Sequence, residues 1–456
     1  MTRQSANTTT EPSTNTLSLE EKASLLSGRD FWSTAPAPGV PSFVMVDGPH
    51  GVRRHEVTAD NLGFNDSLPA TCFPPGTALG SSWDPDLVEE VGKALGREAR
   101  SLAVNVLLGP AINIKRSPLC GRNFEYLSED PLVTGVLGAA YVKGVQSHGI
   151  GTSVKHFAAN NQETDRMRVS SDVDERTLRE IYFPAFERVV RDSDPATVMC
   201  PYNRINGTYA SENQWLLTDV LRTEWGFRGA VTNRTAALKA GLDLQMPGTD
   251  GATVAEIIAA VEGGALAGEH VDASAARIAA LQRRTAIHDA STAFDADTHH
   301  ALARRAAGAS IVLLRNENNV LPLDSDSDVA VQGEFAQKPR YQGGGSSHVN
   351  ATRVDVPLDK LRLALGEGRV HYAPGYGAAG ADSTAALVRE EAADLARRAD
   401  ISVVFVGLEE KEESEGFDRT HLHLPADHVA LIRVVAAASP RTVVVLSNGG
   451  VVTLEP

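Results

Sequence analysis

The stretch PLVTGVLGAAYVKGVQSHGIGTSVKHF, residues 131–157, decides the fold. Residues 131–147 carry a helical pattern, 151–154 form a short strand-type run, and Lys155-His156 follow where that strand ends. The same unit recurs on either side. Strand candidates at 42–46, 104–108, 196–199 and 242–245 alternate with helical patterns at 85–103, 175–192 and 254–261. Short strands alternating with longer helices argue for a parallel sheet. This many units between residues 17 and 285 suit a TIM-like (β/α) barrel better than an open sheet. At its start, Leu17-Ser18-Leu19-Glu20-Glu21 opens a helix with Ser18 as N-cap.

Residues 1–16 read as a disordered polar tail and 286–309 as a linker, since both lack periodicity. A second α/β unit, 310–456, follows with strands at 310–314, 329–331, 370–372, 402–406 and 442–447 and helices at 383–399 and 425–438. It is expected to be an α/β sandwich. It reads as incomplete, because the chain stops just past a strand and its Asn448-Gly449-Gly450 turn.

Composition narrows the function. The 456 residues are 42% hydrophobic and 22% charged, enough apolar material for full cores. A net charge of −15 is the wrong sign for gripping nucleic acid. Cys72, Cys120 and Cys200 cannot all pair and have no metal-ligand spacing, so they are expected to be reduced and buried in a cytoplasmic protein. No secretory leader stands out, and no apolar run approaches the ~18 residues of a membrane span. Gly343-Gly344-Gly345 lacks the Gly-Lys-Ser/Thr ending of a phosphate loop. No cofactor or metal is expected, and oligomerisation stays open.

In a (β/α) barrel, chemistry collects where strands end. Here those ends carry Asp47-Gly48-Pro49-His50-Gly51-Val52-Arg53, Gly109-Pro110, Lys155-His156-Phe157, Pro201-Tyr202-Asn203 and Met246-Pro247-Gly248, and the loop after the second strand adds Cys120-Gly121-Arg122-Asn123-Phe124-Glu125. Mixed donors and acceptors beside an aromatic suit vicinal hydroxyls, hence a sugar. Each residue has a plainer reading: Asp47-Gly48-Pro49 as turn chemistry, Arg122 and Arg166 as surface ion pairs, Tyr202 as a core edge. Spacing alone gives a polar pocket.

The strings Val46–Arg53, Gly121–Glu125, Lys155-His156-Phe157 with Asn160-Asn161-Gln162-Glu163, and Gly241–Gly248 resemble the β-glucosidase branch of glycoside hydrolase family 3. In the second unit Lys338–Ser347 and Glu413-Ser414-Glu415-Gly416-Phe417-Asp418-Arg419 look like the same family, in the same order. The resemblance implies an exo-acting, retaining β-glucosidase that takes a small β-glucoside or oligosaccharide. By motif match, Asp47, Arg53, Arg122, Lys155, His156, Arg166 and Tyr202 would hold the terminal sugar. Glu415 would be the general acid/base, with a pKa raised by neighbouring carboxylates and a closed domain interface; Glu413 is a weaker candidate.

One departure matters. The family's nucleophile is an Asp in a Ser/Thr-Asp-Trp string after Gly-Phe-x-Gly. Here Gly226-Phe227-Arg228-Gly229 leads into Ala230-Val231-Thr232-Asn233-Arg234-Thr235 with no Asp-Trp. Only ten residues, 232–241, separate the expected strands, where a parallel crossover normally takes about a dozen or more. A loss of roughly six to eight residues relative to the family pattern is expected. Neither Asn233 nor Asp243 is a convincing substitute. The alternatives are a β-xylosidase, a sugar-binding remnant without turnover, and an incompletely folded fragment with exposed apolar edges.

Overall fold

The computed structural model describes residues 14–55, 67–233, 237–287, 293–376 and 382–455. The strands of the first half are β1 (Met45–Asp47), β2 (Val106–Leu108), β3 (Gly151–Lys155), β4 (Ser170–Ser171), β5 (Thr197–Met199), β6 (Arg204–Ile205), β7 (Thr208–Tyr209), β8 (Ala230–Asn233) and β9 (Leu244–Gln245). Six form one parallel sheet in the order β1-β2-β3-β5-β8-β9, while β4, β6 and β7 make a separate small ribbon.

The six-stranded sheet curls and closes through a hairpin. Gln245 bridges Ser27, Gly28 bridges Thr34, and Ser33 bridges Val44. Gly28 N donates to Gln245 O at 2.8 Å and Met45 N to Trp32 O at 2.9 Å. Residues 27–34 thus join the last strand to the first, completing a TIM-like barrel. Val46, Val106, Leu107, Val154, Val198, Val231 and Leu244 are all buried in its core.

The helices begin where the sequence places caps. Ser18 accepts from Glu21 N while Glu21 reaches back to Ser18 N, a capping box for Leu19–Leu25. Asp84 and Asp130 cap Pro85–Ser101 and Pro131–Gln146, each with proline in the first turn, where its missing N–H costs nothing. The helix expected over 175–192 is interrupted. Phe183 N donates to Leu178 O at 2.8 Å in a π-type turn, Leu178–Tyr182, and a new helix starts at Pro184–Ser193. Pro184 has no N–H to continue the ladder.

Two expectations are corrected downstream. Within 286–309, residues 296–309 belong to a helix, Ala296–Ser310, capped by Asp295 and packed on the barrel. His299, Ala303 and Ala306 recur at helical spacing and are buried, with His299 Nδ1 2.6 Å from Glu98 Oε1. The run 310–314 forms no strand: Ile311 and Leu314 are 80% and 68% exposed. A short apolar run makes a strand only where a sheet edge accepts it.

The second sheet holds β10 (Val329–Gln332), β11 (Val370–Ala373), β12 (Ile401–Gly407) and β13 (Thr442–Ser447), all parallel, in the order β11-β10-β12-β13. Along β12 alternate residues face two cores. Ile401, Val403 and Phe405 pack with Leu358 of one helix, while Val404 and Val406 pack with Ala392, Ala396, Leu431 and Val435 of two others. Helices on both faces make this an α/β sandwich. No helix among the described residues is long and apolar enough to cross a membrane.

Candidate active site

The barrel strands point their C-terminal ends at one cavity of about 770 Å³, counted out to its open mouth. Asp47 ends β1, Lys155 ends β3 with His156 next, Met199 ends β5 and Asn233 ends β8. Six of the eight expected residues line the cavity: Asp47, Arg122, Lys155, His156, Tyr202 and Glu415. Arg53 and Arg166 stand behind them.

The turn after β1 shows how the first string works. Gly48 has φ +135°, and a Cβ there would lie 1.9 Å from Gly51 O. The chain therefore folds back tightly enough for Arg53 N to donate to Asp47 O at 3.0 Å. Turn chemistry and pocket position coincide in this segment. Arg53 Nη1 donates to Ser346 O in the second domain at 3.3 Å.

Charges pair closely beneath the cavity. Lys155 Nζ sits 3.3 Å from Asp47 Oδ1 and 3.4 Å from Glu125 Oε1, and Arg122 Nη2 is 2.6 Å from Glu125 Oε2. Burial raises the Asp47 pKa, with Lys155 opposing it. Burial also raises Glu125, but Arg122 and Lys155 outweigh that and hold it ionised. His156 is pushed well below the usual histidine range, first by burial and then by Arg122, Lys155 and Arg166, so its imidazole is neutral at pH 7.

Glu415 enters from the second domain. Its Oε1 accepts from Arg166 Nη1 at 2.6 Å and its Oε2 from Ser346 N at 2.8 Å, with Arg122 Nη1 3.9 Å away. The expected raised pKa is corrected. Burial does push it up, but Arg122, Arg166 and the Ser346 hydrogen bond reverse the shift and hold this carboxyl far below the carboxylate range. Arg166 also pairs with Glu163 at 2.8 Å and lies 5.4 Å from the Tyr202 ring centre. Glu413 is bound elsewhere, to Arg340 at 2.7 Å and Gly449 N at 2.8 Å.

The loop carrying Glu415 is pinned to the barrel. Asp418 accepts from Gly121 N at 3.1 Å, Glu163 N at 3.0 Å and Thr164 N at 2.9 Å, and Glu163 accepts from Gly416 N at 2.9 Å. A Cβ on Gly121 would lie 1.9 Å from Phe417 O, so the two loops fit only with glycine there.

Two lining residues, Phe31 and Trp32, escape sequence reasoning. They form an apolar wall on the closing hairpin, and Ser346, Thr232 and Met246 are among the other residues that line the cavity. Ser346 lies in the string quoted above, whereas Trp32 carries no strand-end signal because its hairpin is antiparallel. Asp243 is outside the cavity: fully buried, it accepts from Arg222 at 2.6 Å, Arg277 at 2.8 Å, Ser274 at 2.8 Å and Val231 N at 2.8 Å. Asn233 Nδ2 donates to Pro201 O at 3.1 Å. From β8 to β9 the crossover runs through ten residues, 234–243, whose described part holds a single 3-10 turn, Leu238–Ala240. Among the described residues no group of three or more His, Cys, Asp or Glu could hold a metal ion.

The sequence matches the glycosyl hydrolase family 3 N-terminal domain over residues 39–235 and the family's C-terminal domain over 311–456. It is 48% identical over 449 residues to thermostable beta-glucosidase B of Acetivibrio thermocellus, covering 96% of this chain and 59% of that protein. To the exo-alpha-(1->6)-L-arabinopyranosidase of Bifidobacterium longum it is 47% identical, covering 98% and 61%. The crystal structure of the Bifidobacterium adolescentis GH3 beta-glucosidase superposes with a TM-score of 0.90 at 47% identity, over 98% of this chain and 65% of that one. Beta-glucosidase 3B of Thermotoga neapolitana in complex with glucose gives 0.83 at 33% identity, over 96% and 69%. This chain spans about three fifths of the two curated relatives' length. With the family's N-terminal domain matched along the barrel and its C-terminal domain along the sandwich, the chain belongs to glycosyl hydrolase family 3.

Proposed function

We propose that this chain acts on terminal non-reducing β-D-glucosyl residues, as an exo-type O-glycosyl hydrolase of the β-glucosidase class. One observation carries the reading: Asp47, Arg122, Lys155, His156 and Tyr202 from separate barrel segments meet Glu415 of the second domain around one cavity. Asp47 accepts from sugar hydroxyls, the cations and His156 serve neighbouring ones, and Trp32 and Phe31 face the apolar C–H surface. Glu415 is the acid/base group, and Arg53 and Arg166 fix the Ser346 and Glu415 segments. The beta-glucosidase relatives favour glucose. The arabinopyranosidase relative makes the group at C5 the point where a xyloside or arabinoside would compete. Three unpaired cysteines suit a reducing, cytoplasmic compartment.

The end of β8 favours a second reading, a sugar-binding form with its covalent step disabled. Thr232 and Asn233 stand there, and an amide is a far poorer nucleophile than a carboxylate. Hydrolysis of p-nitrophenyl β-D-glucoside by the parent and by Glu415→Ala, alongside glucose binding, separates the two. Nitrophenol release that Glu415→Ala abolishes supports the hydrolase. Binding without release supports the sugar-binding form, and neither binding nor release refutes both.

A further inference from the structure

The string Asn160-Asn161-Gln162-Glu163 contributes nothing to the cavity lining, yet its last residue sits directly behind Glu415. Glu163 is 1% exposed, and both of its side-chain bonds fall on one oxygen. Oε2 accepts from Arg166 Nη1 at 2.8 Å and from Gly416 N at 2.9 Å, while Oε1 is buried with no hydrogen-bond partner among the described residues. The same Arg166 Nη1 donates to Glu415 Oε1 at 2.6 Å. Glu163 therefore grips the Glu415 segment twice, through the cation that holds the Glu415 carboxylate and through the backbone N–H of the next residue. The grip is reciprocal across the domain boundary. Asp418, on the Glu415 loop, accepts from Glu163 N at 3.0 Å and from Thr164 N at 2.9 Å.

We infer that Glu163 is a positioning residue: by holding Gly416 N and Arg166 at a single oxygen, it fixes where the Glu415 carboxylate stands in the sugar site. The inference rests on the cavity being a glucosyl site, as proposed above. Reach, rather than charge, is what the geometry requires of residue 163. An amide carbonyl in place of Oε2 keeps both accepted bonds and leaves the NH2 where Oε1 already has no partner. Glu415 is already ionised, so removing the Glu163 charge changes no protonation state of that carboxylate at pH 7. A side chain one methylene shorter cannot meet Gly416 N and the Arg166 guanidinium together. Glu415 is then tied to Arg166 without a fixed backbone beside it.

The test compares the full chain with Glu163→Gln, Glu163→Asp and Glu163→Ala. Glucose affinity is read by titration calorimetry, exchange of the Gly416 amide hydrogen by NMR, and the folded state of each variant by its melting temperature. Glu163→Gln is expected to bind glucose within about two-fold of the parent and to keep the Gly416 amide protected. Glu163→Asp and Glu163→Ala are expected to bind about ten-fold more weakly, with faster exchange at Gly416. A merely structural role would lower the melting temperature without sorting the variants by reach. Glu163→Gln weakened as far as Glu163→Ala, or parent-like affinity in Glu163→Asp and Glu163→Ala, overturns the inference and leaves the glucosyl site standing. A parent that binds no glucose overturns the site reading and the inference together.

Discussion

Glu415 owes its state to residues far away in sequence. Arg122 and Arg166 come from barrel loops and Ser346 from another second-domain loop, and together they reverse the effect of burial. Replacing Arg166 with Gln removes the 2.6 Å partner, so the Glu415 pKa should rise by about 1–3 units. NMR titration of a labelled glutamate side chain checks this, and an unmoved pKa would mean that Arg166 contributes nothing there. Part of the pocket was visible as strand-end residues: Asp47, Lys155 and His156 end or follow strands whose pattern is plain. The sign of the Glu415 shift was not legible. Sequence shows neighbouring carboxylates such as Glu413, but not that Glu413 turns to Arg340 while two arginines turn to Glu415.

At the scale of elements, crossover length is the informative quantity. Ten residues were counted between the strands flanking Asn233, and ten separate β8 from β9, though both strand boundaries lie two residues later than expected. The closing hairpin was missed because it makes isolated bridges rather than a strand-length ladder. The run 310–314 was misread for the opposite reason: its pattern is strand-like, yet among the described residues it pairs with no strand. Ile311, Val312, Leu313 and Leu314 are all more than half exposed and form a contiguous apolar stretch. Such a stretch should bind a hydrophobic dye in the native state. Leu313→Lys should lower dye fluorescence and raise solubility without altering glucose affinity; dye binding unchanged by that substitution would place the exposed surface elsewhere.

For the whole molecule, the two sheets are tied by polar groups that meet above the barrel. Asp418 accepts three backbone N–H groups from barrel loops, and each such charge-assisted bond contributes about 1.5–3 kcal/mol. Asp418→Ala should therefore loosen the docking, so that calorimetry resolves two thermal transitions in place of one. A single transition at the parent's temperature would show that the docking rests on other contacts. The pH dependence follows from buried histidines. Burial lowers His50 from 6.5 to about 4, and His156 lies well below its usual range. Below pH 6.5 the unfolded chain takes up protons that the native state refuses, so stability falls as pH drops from 6.5 toward 4. For His50 alone the loss reaches about 3 kcal/mol. Urea unfolding at pH 7 and pH 4.5 should show that loss shrinking in His50→Asn, and equal pH slopes in parent and variant would contradict the assignment.

In the proposed glucosyl site, the cavity beneath Glu415 holds a terminal sugar through Asp47, Lys155 and His156. Calorimetric titration of glucose into the parent chain and into Asp47→Ala tests it most directly. Saturable binding by the parent is expected, with at least about a ten-fold weaker constant in Asp47→Ala, the equivalent of one charge-assisted hydrogen bond. Absence of binding in the parent, or equal affinity in the two chains, would contradict it.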